Sequence, residues 1–408
     1  MPERPEIADW ATDFDHLSDE WAASSPEILA DLRQRCPVAH TDRFYGAYLV
    51  TRFDDVLDVA RDTETFSSRI TLINDNHPDN VRLVLPPITL DPPEHGPLRR
   101  ALLPSFNPRQ VELLRPFVTD VAEGLLDAID GRGEVDGALD FARLLPVEVM
   151  SHLFDVPADT GPRFRSWVDA LLKDGLVDLD IARTANREVH AFFTEQLARR
   201  RRHPGADSRD DLVSVVMNAE VHHDDGTSRP FTEREQVGSL VLLMLGGIDT
   251  TWSLLGASLF HLATNDDDLR RLVAEPELVS SAIEEFLRFY SPVTIARVIT
   301  DDAEIGGCPV SGGQRLLLSY PSANRDPAHF DDPDEVILDR TRNRHVAFGV
   351  GVHRCLGSNL ARMELEVALG AWLRRFPRFE LAVDPGDIVW SVGPVRGPRS
   401  VPLRITAG

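Results

Sequence analysis

The 408-residue sequence predicts a mainly α fold with minor β. Three observations carry this. Helical periodicity dominates from Glu94 to about Asn218, in stretches such as VELLRPFVTDVAEGLLDAI and REVHAFFTEQLARRRR. The stretch TEREQVGSLVLLMLGGIDTTWSLLGASLFHLATN is apolar on nearly every side, so the helix it predicts runs through the centre of the protein. Strand-like pieces are short and lie towards the two ends of the chain.

In chain order, a helix is expected from Pro26 to Gln34, a strand from Tyr45 to Thr51 and a short helix from Asp54 to Arg61. Residues 67–93 look irregular, and a loop that long in a compact protein is usually functional. After the helical region, HHDDGTSRPFT reads as a polar turn. Thr232 and Glu235 then form a capping-box pattern at the start of the long helix. About 30 helical residues span roughly 45 Å. A second helix covers PELVSSAIEEFLRFY and stops at Ser291-Pro292, because the residue before proline avoids the helical region. Short strands end in GGQRLLLSY, and a turn-rich region runs through SANRDPAHFDDPDEV. FGVGVHRCLG, the helix LGSNLARMELEVALGAWLRRF and a β-like tail complete the chain. Residues 1–408 read as one domain, with residues 1–20 loosely ordered.

Composition excludes several functions. A net charge of −23 argues against nucleic acid and anionic membrane as partners. Lys173 is the sole lysine, so no phosphate loop of the glycine-lysine type is present. The N-terminus lacks a basic start followed by an apolar run, and no membrane anchor is expected. Three cysteines, Cys36, Cys308 and Cys355, form no disulfide framework and suggest a reducing, cytoplasmic setting.

The stretch FGVGVHRCLG (348–357) packs glycines, a histidine and one cysteine into a turn before a helix. By itself it permits a small buried residue in a bend, a weak Cys–His nucleophile or a metal ligand. The glycines do not fit a dinucleotide cradle. A single thiolate can also serve as the axial ligand of haem iron, its charge stabilised by a helix N-terminus and its approach cleared by glycine. At every defined position the stretch resembles the haem-binding signature of the cytochrome P450 family, FGxGxHxCxG.

Further motifs agree with that resemblance. Gly246-Gly-Ile-Asp-Thr-Thr251, midway along the apolar helix, resembles the family's oxygen-binding groove. The likeness implies that Thr250 holds dioxygen and that Asp249 helps deliver protons through water. An acid in so apolar a helix is costly without a task or a partner. Glu285-Phe-Leu-Arg288 matches ExxR, whose i, i+3 spacing puts both residues on one helix face. Arg340 stands where the family completes a buried network with them, although Val336 replaces the family's usual aromatic. Ala323-Asn-Arg-Asp-Pro327 is a further family-like element. His95 and Arg99 (i, i+4), Arg297 and His345 occupy positions that the resemblance assigns to the haem propionates, and Phe348, Gly349 and Cys355 to the haem itself. His353 is expected near the haem edge or the surface. Cys36 and Cys308 have no assigned role.

The resemblance covers the chain from about Leu29 onward and implies the P450 fold: a long central helix over haem b and a small β-rich lobe. It implies a haem-thiolate monooxygenase that inserts one atom of dioxygen into a small, largely apolar organic substrate. With no fused reductase domain expected, electrons come ultimately from NAD(P)H through a separate ferredoxin and its reductase, and a monomer is expected. Arg100, Arg344, Arg354 and Arg362, basic in an acidic chain, suggest a docking patch for that ferredoxin. Substrate contacts are expected from Leu85, Ile88, Leu242, Leu243, Gly246, Gly247, Val293, Thr294, Ile295 and Val392. A peroxide-driven peroxygenase and a non-catalytic haem-thiolate sensor are the alternatives; the Asp249-Thr250 pair argues against the first, and that pair beside a large apolar pocket against the second.

Overall fold

The computed structural model describes residues 4, 6–74, 83–202, 211–223 and 225–405. The middle of the irregular loop therefore lies outside the described residues. The fold is mainly α with small sheets. Its axis is the helix Glu233–Thr264, whose N-terminus closes the expected capping box: Glu235 N–H donates to Thr232 Oγ1 (3.3 Å) and Thr232 N–H to Glu235 Oε2 (2.7 Å). Arg229 adds a bidentate contact to the same carboxylate at 2.8 Å. This is the one described helix long and apolar enough to cross a membrane, and 78% of its most apolar window is buried by the rest of the protein, which accounts for its composition as core. The helices Leu144–Leu153, Leu179–Arg202 and Ser358–Arg375 pack around it.

The β-rich lobe is a five-stranded sheet in the order Val38–Thr41, Ala47–Val50, Arg315–Ser319, Thr294–Ile299, Phe66–Ser67. Only the second and third strands run parallel. Arg297 is paired opposite Leu316, so the sheet holds its backbone while the side chain points inward, 1% exposed. A three-stranded sheet joins Glu134–Asp136 to the C-terminal strands Phe379–Leu381 and Pro402–Ile405. The strand Glu134–Asp136, inside the helical region, escapes periodicity because three residues give no pattern to read.

Described residues near the N-terminus pack into the fold. Phe14, Asp15 and Leu17 are wholly buried, and His16 Nε2 bonds the Ile73 carbonyl at 3.1 Å. The first helix starts at Asp19, capped by Ser18 Oγ accepting from Trp21 N–H, breaks at Ser24 and resumes with Pro26 near the start of its second segment. Proline is tolerated there because the first turn needs no N–H partner.

Candidate functional site

One cavity lies between the central helix, the Cys355 loop, the helix His95–Leu102 and the sheet. The loop is folded by its own backbone: Cys355 N–H donates to Phe348 O at 2.7 Å and Gly349 N–H to Val346 O at 2.8 Å. Gly349 (φ 67°) and Gly351 (φ 70°) are left-handed. A Cβ on Gly349 would stand 3.1 Å from the Tyr320 hydroxyl, and one on Gly351 3.0 Å from the Ala60 carbonyl, so both positions require glycine. Asn324, from the turn-rich region, accepts from Val346 N–H at 2.7 Å and fixes the start of the loop. Phe348, Gly349 and Cys355 all line the cavity. Burial pushes the Cys355 thiol up; the Gly357 N–H, Arg99, Arg354 and Arg362 pull the other way, so the site is set to stabilise a thiolate once a metal takes the sulfur.

Four cationic or donor side chains converge on one side: His95, Arg99, Arg297 and His353. The two imidazoles lie with ring centroids 4.3 Å apart. Burial, and next the Arg99 charge, push His95 down to about 4; burial, Arg297 and His95 hold His353 far lower. His95 Nε2 and both ring nitrogens of His353 are buried with no hydrogen-bond partner. Among the described residues neither Arg99 nor Arg297 has a carboxylate partner; Arg297 donates to its neighbour's carbonyl and Arg99 to that of Arg354. Buried donors without acceptors are costly. This set matches an anion with several oxygens, as the two propionates of haem would supply. The residues present therefore fit haem.

Two expected cofactor and pocket residues are elsewhere. His345 faces away from the cavity: its Nε2 bonds Glu284 Oε2 at 3.1 Å, and its Nδ1 accepts the Ala347 N–H. His353 takes the position in the cradle that was expected of His345. Burial raises Glu284, but Arg362 and His345 outweigh it and hold the carboxylate at about 2. Val392 does not line the cavity either. The chain turns at Gly393 (φ 84°), which leaves Val392 on the side of Leu176 and Val177 and brings Pro394 and Val395 to the cavity wall. Trp390, in the same tail, stacks on Tyr290.

Leu85, Ile88, Leu242, Leu243, Gly246, Gly247, Val293, Thr294 and Ile295 line the largely apolar side of the cavity, together with Met150. The Thr250 hydroxyl also reaches the cavity and donates back to Gly246 O at 2.8 Å, within an unbroken helix. Asp249 is turned away. Arg399 holds it through Nη1 (2.5 Å) and Nη2 (3.3 Å), and the guanidinium rests on the Trp252 ring at 4.4 Å. That partner, 150 residues distant, leaves no trace in the local sequence.

Glu285 is 0% exposed and accepts from Arg288, Arg340 and Asn343, which gives the expected network one more member. Arg362 is not a free surface charge: it grips Glu284 at 2.6 and 2.8 Å and covers the Phe348 ring at 4.5 Å. Arg100, Arg344 and Arg354 are exposed.

The two groove glycines differ. A Cβ on Gly247 would strike Met150 Sδ at 2.5 Å, whereas one on Gly246 meets nothing within 4 Å. Gly246→Val is therefore expected to leave stability unchanged while narrowing the cavity; spectral titration with apolar ligands should show weaker binding than in the parent protein.

A family model described as Cytochrome P450 matches residues 173–389. The polyketide biosynthesis cytochrome P450 PksS of Bacillus subtilis is 32% identical, covering 93% of this chain and 95% of its own. The mycinamicin IV hydroxylase/epoxidase of Micromonospora griseorubida is 34% identical over 91% and 94%. The solved structure of PksS superposes with a TM-score of 0.87 at 30% identity, covering 97% of this chain and all of that one.

Proposed function

Because this chain belongs to the cytochrome P450 family, we propose that it is a monooxygenase inserting one atom of dioxygen into a small, largely apolar, uncharged organic substrate. The observation that carries this reading is the meeting, in one cavity, of the Cys355 thiol, the donors His95, Arg99, Arg297 and His353, the Thr250 hydroxyl and an apolar wall. The family's cofactor is haem on a cysteine thiolate, which supplies the activation of dioxygen. Cys355 would be the iron ligand: burial pushes its thiol up, and the Gly357 N–H and nearby arginines oppose that and favour the thiolate once the metal displaces the proton. His95, Arg99, Arg297 and His353 bind the propionates and set the haem's orientation. Thr250 offers a hydroxyl where oxygen chemistry takes place, and Asp249 supplies protons once Arg399 lets go of it.

The cavity's charged side chains are those of the cradle and Glu364, and the substrate side is built from leucine, isoleucine, valine and proline. It excludes water and favours an uncharged ligand. The relatives' names, polyketide biosynthesis and mycinamicin hydroxylation or epoxidation, point the same way. Hydroxylation or epoxidation of such a molecule is the reaction proposed. Electrons come from NAD(P)H through a ferredoxin and its reductase, and the protein works in the cytoplasm as a monomer.

The test is reconstitution with ferredoxin, reductase and NAD(P)H. Substrate-dependent NAD(P)H consumption, with one labelled oxygen atom in the product, is the expected result. Turnover with peroxide and none with ferredoxin would assign the chain to the peroxide-driven class instead. Since Arg362 is tied to Glu284, the docking charge to reverse is Arg344. Arg344→Glu should slow reduction by ferredoxin about tenfold at low salt and leave ligand binding unchanged, as read by stopped-flow reduction and spectral titration.

A further inference from the structure

The chain from Leu83 to Leu90 brings four side chains to the cavity: Leu83, Leu85, Pro87 and Ile88. It folds as a tight turn on itself. Leu85 N–H donates to Thr89 Oγ1 at 3.0 Å, Thr89 N–H to Leu85 O at 3.2 Å and Leu90 N–H to Pro87 O at 3.0 Å. Just beyond it, Asp91 accepts the Ser68 N–H at 2.7 Å. One hydrogen bond ties the turn to the central helix: the buried Ser239 Oγ donates to Pro86 O at 3.0 Å. Among the described residues, no other hydrogen bond joins residues 83–90 to the rest of the protein. Hydroxyls elsewhere on this helix behave differently. Thr250, Ser258 and Thr264 each donate to the carbonyl four residues earlier, the usual partner of a hydroxyl inside a helix. Ser239 reaches outwards instead. Next to it, Gly238 has a helical backbone and needs no glycine for its dihedral angles, and glycine weakens a helix. What lies opposite explains its missing side chain. A Cβ there would stand 2.6 Å from Val84 O and 2.7 Å from Pro86 Cδ, a carbonyl and a ring that have no rotamer by which to swing away. Gly238 and Ser239 lie one helical turn before Leu242 and Leu243, which also line the cavity.

We propose that Gly238 and Ser239 are positioning residues that set the size selectivity of the cavity. Gly238 lets the turn approach the helix to backbone contact, and Ser239 holds it there. The spacing between the two leucine-bearing elements is thereby fixed at a point outside the cavity. Neither residue lines the cavity, so both act through Leu83, Leu85 and Ile88 rather than by touching a ligand. The inference rests on the reading of this cavity as the place where the substrate binds, and it adds that the substrate's bulk is gauged at this seam. A contact so close favours compact apolar molecules. Any side chain at position 238 moves the turn outwards and makes room for larger ones, because a packed backbone yields by shifting as a unit.

Spectral titration of the haem-loaded protein with two iron-binding azoles tests this without turnover: 4-phenylimidazole, which is compact, and clotrimazole, which is bulky. Gly238→Ala should weaken 4-phenylimidazole about tenfold, while clotrimazole binds as tightly as before or more tightly. Ser239→Ala removes the hydroxyl and leaves the close approach, so it should shift the ratio of the two affinities in the same direction by about threefold. The reduced carbon-monoxide spectrum should stay that of the wild type in both variants, because neither residue lies in the Cys355 loop or the cradle. A merely structural role would lower the unfolding temperature and weaken both azoles alike. Equal losses for the two azoles, or an unchanged ratio, overturn the proposal. If Gly238→Ala does not load haem, the ratio in Ser239→Ala decides alone. A ratio that shifts as expected, in a protein that yields no oxygenated product, would overturn the monooxygenase reading and leave this inference standing.

Discussion

Cys355→Ser abolishes the reduced carbon-monoxide band for which the family is named, while far-ultraviolet circular dichroism stays that of the parent. The substitution is nearly isosteric, and the backbone hydrogen bond from Cys355 N–H to Phe348 O does not depend on the side chain. What changes is the donor. Burial pushes the Cys355 thiol up, yet a thiol gives up its proton to a metal readily, and the Gly357 N–H, Arg99, Arg354 and Arg362 then favour the anion. A serine hydroxyl holds its proton far more tightly, so the same cationic surroundings do not ionise it. No other thiol can substitute, because Cys36 and Cys308 do not reach the cavity. The cradle of His95, Arg99, Arg297 and His353 is untouched and still offers donors to the propionates, so haem uptake falls less than the spectral signature does. Haem content by pyridine haemochromogen, set beside the carbon-monoxide spectrum, separates the two effects. A band retained at full height in the serine variant would refute the thiolate assignment.

What could be read from the chain, and what could not, follows from sequence distance. The Cys355 loop is local: its glycines, its thiol and the helix behind it lie within one short stretch, and the strain at Gly349 and Gly351 is written in the residue type. Glu285 and Arg288 are likewise one turn apart on a single helix. The choice between His345 and His353 was not local. Both lie near the cysteine, and which one faces the cavity is decided by Glu284, 61 residues before His345, which draws that ring outward. Arg399 is invisible from Asp249 for the same reason, and so is Arg362's engagement with Glu284. Val392 was misplaced by a single turn at Gly393, where the left-handed backbone swaps the faces of the tail. Glu364 did carry a sequence signal, an acid among Leu360, Met363, Leu365 and Val367 on a core-facing helix, of the same kind that drew attention to Asp249.

Glu285→Gln destabilises the protein by about 3–5 kcal/mol, the cost of stripping the partner from buried charges. The side chain keeps its shape, so packing is not the cause. Glu285 accepts from Arg288 Nε and Nη2 at 2.8 and 2.7 Å, from Arg340 Nε at 3.0 Å, from Asn343 Nδ2 at 3.1 Å and from the Ile337 N–H at 2.8 Å. An amide removes the negative charge from two guanidiniums, one of them fully buried, and turns an accepting oxygen into a donor that faces donors. The loss is a large fraction of a typical domain's 5–15 kcal/mol. It also reaches the site. Arg288 donates to Asn324 O at 3.1 Å, and Asn324 Oδ1 holds Val346 at the head of the cysteine loop, so loosening the network frees the loop that presents Cys355. The variant should therefore purify with low haem occupancy and unfold at a lower temperature. Its pH profile provides a second check. Burial raises Glu285, but Arg288 and its other partners outweigh it and hold the carboxylate below its usual range. Its stabilising contribution is thus complete above the unfolded value near 4.5 and is lost as pH falls through the lowered folded value. The gap between wild type and Glu285→Gln in thermal unfolding should be constant from pH 6 to 8 and should narrow in acid. A gap that does not narrow in acid would mean that shape, not charge, gives Glu285 its importance.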